Sequence, residues 1–210
     1  MRRYSKHPIP VFISCTAILL QIFETASATT SAEMDWRKTN EATQCKGHYE
    51  ETKIDTTKKV NASAKSAVHI EGNSTTLKGD VVLTHKNQQL KADLLIIEAK
   101  TEVYTAEGRT QLRQPGLLLK GDRIKGSLVD NTAVIENSHF LLHGNRIRGS
   151  AKKISKSQND ELTIEKGKFT TCEPNNNLWQ VTGESIVLKR AKGYGIAEDV
   201  TLKIKNAPIA

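Results

Sequence analysis

Leu77-Lys78-Gly79-Asp80-Val81-Val82-Leu83 is the first of several similar segments along this chain. In each of them a small residue lies beside apolar positions. The later segments are Leu90-Lys91-Ala92-Asp93, Tyr104-Thr105-Ala106-Glu107-Gly108, Gly121-Asp122, Ala133–Glu136 and Gly149–Ala151. They recur roughly every 12 to 16 residues, which fits one β-strand and one turn per unit, each unit covering the apolar face of its neighbours. The small residues suit tight turns or a close approach of two backbones.

Short apolar runs separated by turn signals predict strands from residue 60 onward. Pairs such as Gly72-Asn73 and Lys86-Asn87 end these runs, as is typical of turns between strands. Leu90, Ala92, Leu94 and Ile96 occupy every second position, the period of a strand with one buried face. No window carries an apolar stripe of helical period longer than about two turns. The sequence therefore predicts an all-β fold, either a repetitive open sheet or an ordinary β-sandwich with evenly spaced strands.

Length and composition limit the class of protein. The chain has 210 residues, a formal net charge of +8 and 5% aromatic residues. A complete membrane barrel needs many tilted strands of about 9–11 residues with aromatic girdles at both interfaces. We therefore expect one ordinary soluble domain, or at most two small ones, with a polar, basic surface, and no complete barrel.

The first 28 residues have the features of an export signal. They begin with Arg2, Arg3 and Lys6, continue through the mostly apolar residues 11–23, and end in Ala26-Ser27-Ala28. Small residues at these last positions are what a signal peptidase reads. A membrane anchor is the alternative, but roughly a dozen apolar residues fall short of the ~20 that span a bilayer. We predict export to the periplasm, with cleavage after Ala28.

The segment that follows the signal is polar and contains one cysteine. Residues 29–59 have few apolar anchors, so we predict a flexible N-terminal arm around Cys45, followed by a β-domain over residues 60–210. Removing the signal leaves two cysteines, Cys45 and Cys172. An even pair in an oxidising compartment favours disulfide chemistry over a redox or metal site.

The repeats and the C-terminal residues resemble a known family. The segments at 77–83, 90–93 and 104–108 resemble the OstA-like repeats of the lipopolysaccharide (LPS) transport bridge of Gram-negative bacteria. The later residues are similar to the end of the periplasmic domain of the LPS-assembly (LptD, organic solvent tolerance) family. These are Phe169-Thr170-Thr171-Cys172-Glu173-Pro174, Leu178-Trp179-Gln180-Val181, Tyr194–Ala197, Val200–Ile204 and Ala207-Pro208-Ile209. The resemblance covers about residues 60–210, and the placement of Cys45 also agrees with it.

This resemblance implies a fold, a cargo and partners. The fold would be a repetitive antiparallel β-jellyroll, V-shaped and open, and the cargo would be LPS received from the periplasmic bridge. The implied partners are an LptA-like bridge protein that adds to an edge strand, a barrel domain and an LptE-like outer-membrane lipoprotein. The family continues past Ala207-Pro208-Ile209 into a large barrel, whereas this chain stops at Ala210. We therefore expect a truncated or split reading frame, or a fragment, located at the outer membrane where a barrel partner exists.

The resemblance also implies a role for the two cysteines. In the family the two periplasmic-domain cysteines form disulfides with cysteines of the barrel. Because no barrel follows here, Cys45 and Cys172 are expected to pair with each other, to stay reduced, or to bond to a separate chain.

Period-two alternation selects candidates for an apolar inner face that would hold the acyl chains. They are Val81, Leu83, Leu94, Ile96, Leu117, Leu119, Phe140, Leu142, Ile147, Ile164 and Ile186. For each of them, closing a dry core is the alternative role. Residues 60–70 are the candidate edge for the bridge protein, because an unpaired edge strand accepts a strand from a partner.

Other functions have weaker support. The cations Arg146, Arg148, Lys152, Lys153 and Lys156 are candidates for LPS phosphates, although a solvated strand edge explains them better. We expect no nucleic acid, cofactor, metal or enzyme activity, since no zinc-protease, serine-hydrolase or P-loop motif occurs. His139 and His143 would lie about 13 Å apart on a strand, too far for one zinc. The alternatives that remain are a stand-alone LptA-like bridge protein and a structural β-solenoid without lipid cargo.

Overall fold

The structure is a computed structural model that describes residues 34–38, 47–55, 60–174, 176–205 and 207–209. The predicted signal at residues 1–28 and Cys45 lie outside the described residues. Within the described ranges, no helix has the length and apolar content needed to cross a bilayer.

One antiparallel sheet of 13 strands contains most of the chain. Its strands are β3 (Val60–Ser63), β4 (Ser66–Ile70), β5 (Ser74–His85), β6 (Gln88–Glu98), β7 (Val103–Gln114), β8 (Leu117–Ser127), β9 (Thr132–Leu142), β10 (Ile147–Lys156), β11 (Glu161–Thr170), β12 (Trp179–Lys189), β13 (Tyr194–Glu198), β14 (Thr201–Ile204) and β15 (Ala207–Pro208). Consecutive strands from β5 to β12 are neighbours, β3 and β4 share β5 at one end, and β13 and β14 share β12 at the other. The two ends do not pair with each other, so the sheet is open. The predicted all-β, repetitive open jellyroll is confirmed.

The strands repeat at the interval that the sequence predicts. Strands β5 to β11 begin at residues 74, 88, 103, 117, 132, 147 and 161, so one strand and one turn recur every 14 or 15 residues. The small residues of the repeat, however, lie inside the strands and not at the turns. Pairing shifts in register between Lys78 and Val81, between Lys91 and Leu94, and between Glu107 and Thr110.

These shifts are β-bulges in β5 and β7, which bend those strands near their middle. Gly79 and Gly108 take φ of 77° and 70° there, which glycine adopts without steric cost. Gly149 serves a close approach instead, because a Cβ at that position would lie 2.3 Å from the Lys168 carbonyl oxygen. The bend brings the two rims of the sheet toward each other and encloses the inner face.

The inner face carries one apolar cluster, which we call the interior. Its buried members are Leu77, Val81, Leu83, Leu90, Ala92, Leu95, Tyr104, Ala106, Leu112, Leu117, Leu119, Ile124, Ala133, Ile135, Phe140, Ala151, Ile154, Leu162, Ile164 and Ile186. Seven partly buried residues pack against it: Ala64, Ile97, Leu128, Leu142, Ile147, Phe169 and Leu188.

The alternation along β6 reverses opposite the bulge of β5. Leu90 and Ala92 belong to the interior, but beyond the bulge Leu95 and Ile97 face inward. At this point β5 places two residues, Gly79 and Asp80, opposite Asp93 alone, so the inward-facing positions of β6 shift by one residue. Leu94 and Ile96 therefore lie on the face opposite to the predicted one.

A second, two-stranded sheet packs on the outer face. Strands β1 (Trp36–Lys38) and β2 (Gly47–Tyr49) pair with each other and, together with Asp35 and residues 50–55, form what we call the N-terminal strand pair. These residues fall in the segment predicted as a flexible arm, yet Asp35 and Trp36 are buried. The sequence pattern did not reveal this docking because the groups that hold Asp35 lie more than 75 residues away.

Candidate functional site

The interior is the candidate site, and most of the predicted inner-face residues lie in it. Val81, Leu83, Leu117, Leu119, Phe140, Ile164 and Ile186 are buried members of the cluster, and Leu142 and Ile147 are partly buried against it. Leu94 and Ile96 are half-buried and outside it. Sequence alternation missed Leu95 and Ile124, which have no exposed surface.

The N-terminal part of the interior is closely filled. A cavity there, of about 20 Å³, is lined in part by Leu83, Leu90, Tyr104 and Leu112. Burial raises the pKa of the Tyr104 hydroxyl to about 12, so the ionised form of this side chain is excluded from the interior. A cavity of this size holds about one water molecule.

The C-terminal part of the interior keeps an opening. A cavity of about 410 Å³ has Leu142, Ile147 and Leu188 in its lining, with Lys189 and Arg190 at its border. The three apolar residues are partly buried and pack against the interior. Asp160 lies in the same lining and binds Arg190, so the border of this apolar cavity carries charges of both signs.

Two rims of the sheet meet along a seam. The first rim consists of the turns at residues 86–87, 115–116 and 143–146, and the second of those at 99–102, 128–131, 157–160 and 190–193. Gln88 on the first rim donates its side-chain amide to the Asn131 side chain on the second. This contact borders the small cavity, so the seam is tied where the interior is filled.

Arg190 ties the seam a second time, beside the large cavity. Its Nη1 donates to both carboxylate oxygens of Asp160, at 3.0 and 2.8 Å, and its Nη2 donates to the Pro115 carbonyl oxygen at 3.0 Å. Pro115 belongs to the first rim, whereas Asp160 and Arg190 belong to the second. Sequence reasoning missed Arg190, because its partners are 30 and 75 residues away.

The N-terminal strand pair is held on the outer face by a buried charge cluster. Arg113 donates to both carboxylate oxygens of Asp35, and Nε2 of His143 lies 3.0 Å from Oδ2 of Asp35. The three side chains are 6 to 9% exposed. The Gly116 amide also donates to Oε1 of Glu51 at 2.6 Å, which joins this strand pair to the same turn that Arg190 binds.

The cluster fixes Asp35 as a carboxylate. Burial alone would raise the pKa of this group, but hydrogen bonds from His143 and Arg113 and their charges outweigh burial and lower the pKa to about 2. A bidentate Arg and carboxylate pair of this kind gives both energy and orientation. It therefore determines where residues 34–38 lie on the sheet.

Most of the cations proposed for LPS phosphates have partners within the chain. Arg148 donates to the carbonyl oxygens of residues 172, 173 and 176, and Arg146 donates to that of Gly47. Lys153 pairs with Glu165, and Lys156 donates to the Asn131 carbonyl oxygen. Lys152 is exposed. The arrangement favours structural roles for these side chains.

Cys172 lies in the loop that Arg148 holds. The thiol is half-buried, 3.9 Å from the Trp179 carbonyl oxygen. Burial would raise its pKa, but hydrogen bonds at Thr170, Trp179 and Leu178 and the Arg148 charge lower it. Throughout the described ranges, no three His, Cys, Asp or Glu side chains are close enough to hold a metal ion.

Both ends of the sheet expose apolar side chains. At the first end Val60, Val68 and Ile70 are 60, 58 and 52% exposed, and all residues of β3 and β4 are exposed. At the other end Tyr194, Ile196, Val200 and Ile204 are exposed. Apolar edges of this kind are characteristic of strands that accept a partner strand.

Comparison with known proteins gives a consistent set of relatives. The family described as LptA/(LptD N-terminal domain) LPS transport protein matches residues 59–194. The LPS-assembly protein LptD of Chromohalobacter salexigens is 31% identical over 186 residues, which are 84% of this chain and 23% of that protein. The LptD of Saccharophagus degradans is 35% identical and that of Pseudomonas fluorescens 37% identical, over 63% and 64% of this chain and 16% and 14% of theirs. The chain thus spans less than a quarter of the length of these relatives.

A solved structure is also similar. LptH of Pseudomonas aeruginosa, described as the LptA-homologous periplasmic component of the LPS transport device, aligns with a TM-score of 0.44 and 18% identity. The alignment covers 50% of this chain and 79% of LptH.

Proposed function

The chain belongs to the LptA and LptD N-terminal domain family of LPS transport proteins, and we propose that its interior shields the acyl chains of LPS on their way to the outer membrane. The observation that carries the proposal is the single apolar interior, which extends from Leu77 on β5 to Ile186 on β12 and ends beside an open cavity. In this proposal the exported chain accepts LPS from the periplasmic bridge and passes it along the sheet.

The energetics of lipid transfer support this proposal. Each CH₂ group exposed to water costs on the order of 0.8 kcal/mol, so an amphiphile with several acyl chains needs continuous shielding. An inward-facing apolar surface beneath a bent sheet provides shielding while the outer face stays hydrated. The candidates Val81, Leu83, Leu117, Leu119, Phe140, Ile164 and Ile186 would line the path, with Leu142 and Ile147 at its open end.

Photocrosslinking in living cells tests the proposal. Benzoylphenylalanine replaces Leu142, which borders the cavity, or Val134, which lies on the same strand and is 38% exposed. We expect LPS adducts at position 142 and few at position 134. Absence of LPS adducts at position 142, or equal yields at both positions, would contradict transport and favour a structural β-solenoid.

We also propose that an LptA-like bridge protein adds a strand at the β3–β4 edge. The exposed Val60, Val68 and Ile70 support this proposal, because backbone pairing gives affinity and exposed side chains give specificity. Val68→Asp should weaken binding of the purified bridge protein, whereas Ile196→Asp, at 51% exposure on the opposite end, is the matched control. Deletion of residues 60–70 with no loss of binding would exclude this edge.

The remaining partners are part of the same proposal. A barrel domain and an LptE-like lipoprotein would receive the cargo at the β13–β15 end. Affinity purification of the exported chain, followed by identification of the bound proteins, tests for them. If the purified chain binds the bridge protein at both edges and binds no barrel, it would instead be a stand-alone bridge protein.

Cys45 and Cys172 are proposed to form disulfides in the exported chain, with each other or with a separate chain. Support comes from Arg146 and Arg148, which bind the backbone at Gly47 and at Cys172 from neighbouring positions on the sheet. Non-reducing mass spectrometry of the chain recovered from the periplasm distinguishes the two pairings. Two reduced thiols would contradict both.

A further inference from the structure

The two contacts that tie the seam differ in chemistry and in what lies behind them. Gln88 and Asn131 are neutral and close the end where the cavity is about 20 Å³. Arg190 carries a charge and joins the two rims beside the open cavity of about 410 Å³. The charged Arg190 contact therefore lies beside the larger of these two cavities.

Local structure presents Arg190 to both rims. It begins a 3₁₀ turn, Arg190–Lys192, directly after β12, and Gly193 ends the turn with φ of 72°. The side chain is 19% exposed, and its three hydrogen bonds divide it between Asp160 on its own rim and Pro115 on the opposite rim. Loss of the hydrogen bond from Arg190 to the Pro115 carbonyl oxygen would separate the two rims at this place. The Arg190 guanidinium would remain neutralised, because Asp160 lies on its own rim.

The surroundings favour separation of the rims at this place. Leu142, Ile147 and Leu188 behind Arg190 are partly exposed, whereas Leu83, Leu90 and Leu112 at the other end are buried. Gly144 and Gly193, which border the cavity, have no atom within 4 Å of a potential Cβ, so the turns on both rims have free space around them. Little packing is lost when the two rims move apart here.

We propose that Arg190 is the latch of a lateral gate, through which acyl chains enter or leave the interior sideways between residues 115–116 and 190–193. The identity of the cargo rests on the function proposed above, but the gate itself does not. When the Arg190 contact with Pro115 breaks, the existing opening of the cavity widens along the seam. The Gln88 contact stays closed and keeps the filled end of the interior intact.

A lipid-independent measurement tests the latch. The apolar dye N-phenyl-1-naphthylamine is titrated into the purified exported chain, and its fluorescence reports entry into an apolar space. Arg190→Ala should raise dye affinity about tenfold, the change expected from the loss of a hydrogen bond to a charged group. Gln88→Ala is the matched control and should leave dye affinity unchanged within about twofold.

Arg190→Lys is the second variant, in case Arg190→Ala does not fold. Lysine keeps the charge beside Asp160 but lacks the planar fork that reaches Asp160 and Pro115 together. We expect a folded chain, checked by circular dichroism, with dye affinity between those of the wild type and Arg190→Ala. Unchanged dye affinity in a folded Arg190 variant, or an equal rise in Gln88→Ala, would overturn the proposal.

Crosslinking to LPS at position 142 then separates the gate from its cargo. Faster adduct formation in Arg190→Ala than in the wild type supports both the gate and LPS transport. No adducts in any variant, together with a dye response confined to the Arg190 variants, leaves the gate standing and rejects LPS as the cargo. Equal adduct rates in the wild type and Arg190→Ala reject the gate and leave transport standing.

Discussion

Leu118 and Leu119 are neighbours on β8, and neither has any exposed surface, yet different parts of the molecule bury them. Leu119 faces inward and belongs to the interior. Leu118 is outside that cluster and pairs across the sheet with Arg113 and Leu141. Because Arg113 binds Asp35, we infer that the N-terminal strand pair covers Leu118 and Leu141 on the outer face.

The difference shows two ways of removing apolar surface from water in one sheet. The interior is closed by the repeated strands themselves, through contacts between consecutive units. The outer patch is closed by a segment about 80 residues earlier in the chain, which buried charges hold in place. The first closure depends on packing, whereas the second also depends on the charge state of Asp35.

The largest expected effect comes from breaking the buried ion pair. Arg113→Ala leaves the Asp35 carboxylate buried with one partner, and we expect a loss of about 3–5 kcal/mol in the free energy of unfolding. Asp35→Leu combined with Arg113→Met removes both charges and should recover most of this loss. Urea denaturation of the three chains measures the effect. If the double variant were as unstable as the single one, packing and not charge would hold the strand pair.

Alanine substitutions at the two leucines sharpen the comparison directly. Leu118→Ala and Leu119→Ala should each lower the free energy of unfolding by about 2–5 kcal/mol in the exported chain. In a chain that starts at Val60, the cost at Leu118 should nearly disappear, because that side chain is then already exposed. The cost at Leu119 should persist. Equal costs at both positions in the shortened chain would contradict burial of Leu118 by the N-terminal strand pair.

Acid should release the strand pair before it affects the interior. The pKa of Asp35 is about 2 in the fold, below its usual value of 3.8, so the stabilisation is present above about pH 4 and is lost as the pH falls toward 2. The corresponding contribution is about 2 kcal/mol. The stabilities of the wild type and Asp35→Asn should therefore converge on acidification. A stability difference that does not change between pH 6 and pH 2 would assign the effect to another group.

The smallest effect is expected for the exposed charges on the outer face. Arg109 binds Asp93 and Asp80 across the line of bulges, but its side chain is 77% exposed. Arg109→Ala should change the free energy of unfolding far less than Arg113→Ala does, and less still at high salt. If Arg109→Ala lowered the free energy of unfolding as much as Arg113→Ala does, the difference in exposure between the two arginines would not explain their contributions.

Much of the sheet was predictable from the sequence, because its period is local. Apolar runs such as residues 117–119 and 162–164 became strands, and the interval between units matched one strand and one turn. Residues 94–96 are the exception, because Leu95 and not Leu94 or Ile96 faces the interior. A bulge adds one residue to one strand of a pair, and the apolar pattern of Leu94-Leu95-Ile96-Ile97 does not reveal where the addition occurs.

The candidate site was predictable in part for the same reason. Alternation found the apolar lining but not the groups that close the seam. Arg190, Asp160 and Pro115 are ordinary residues in the sequence, and they gain a role because two rims meet. Asp35 and Arg113 are similar, since a polar segment with few apolar anchors gives no sign of a buried partner 78 residues away.

By itself, the sequence determined that this chain forms a repetitive antiparallel sheet with one apolar face, because strand period and turn chemistry act over a few residues. The tertiary structure alone decided where the sheet bends, which face Leu94 and Leu95 take, what covers Leu118, and where Arg190 joins the rims. These features depend on contacts between distant segments, whose energy appears only after the sheet has folded over its interior.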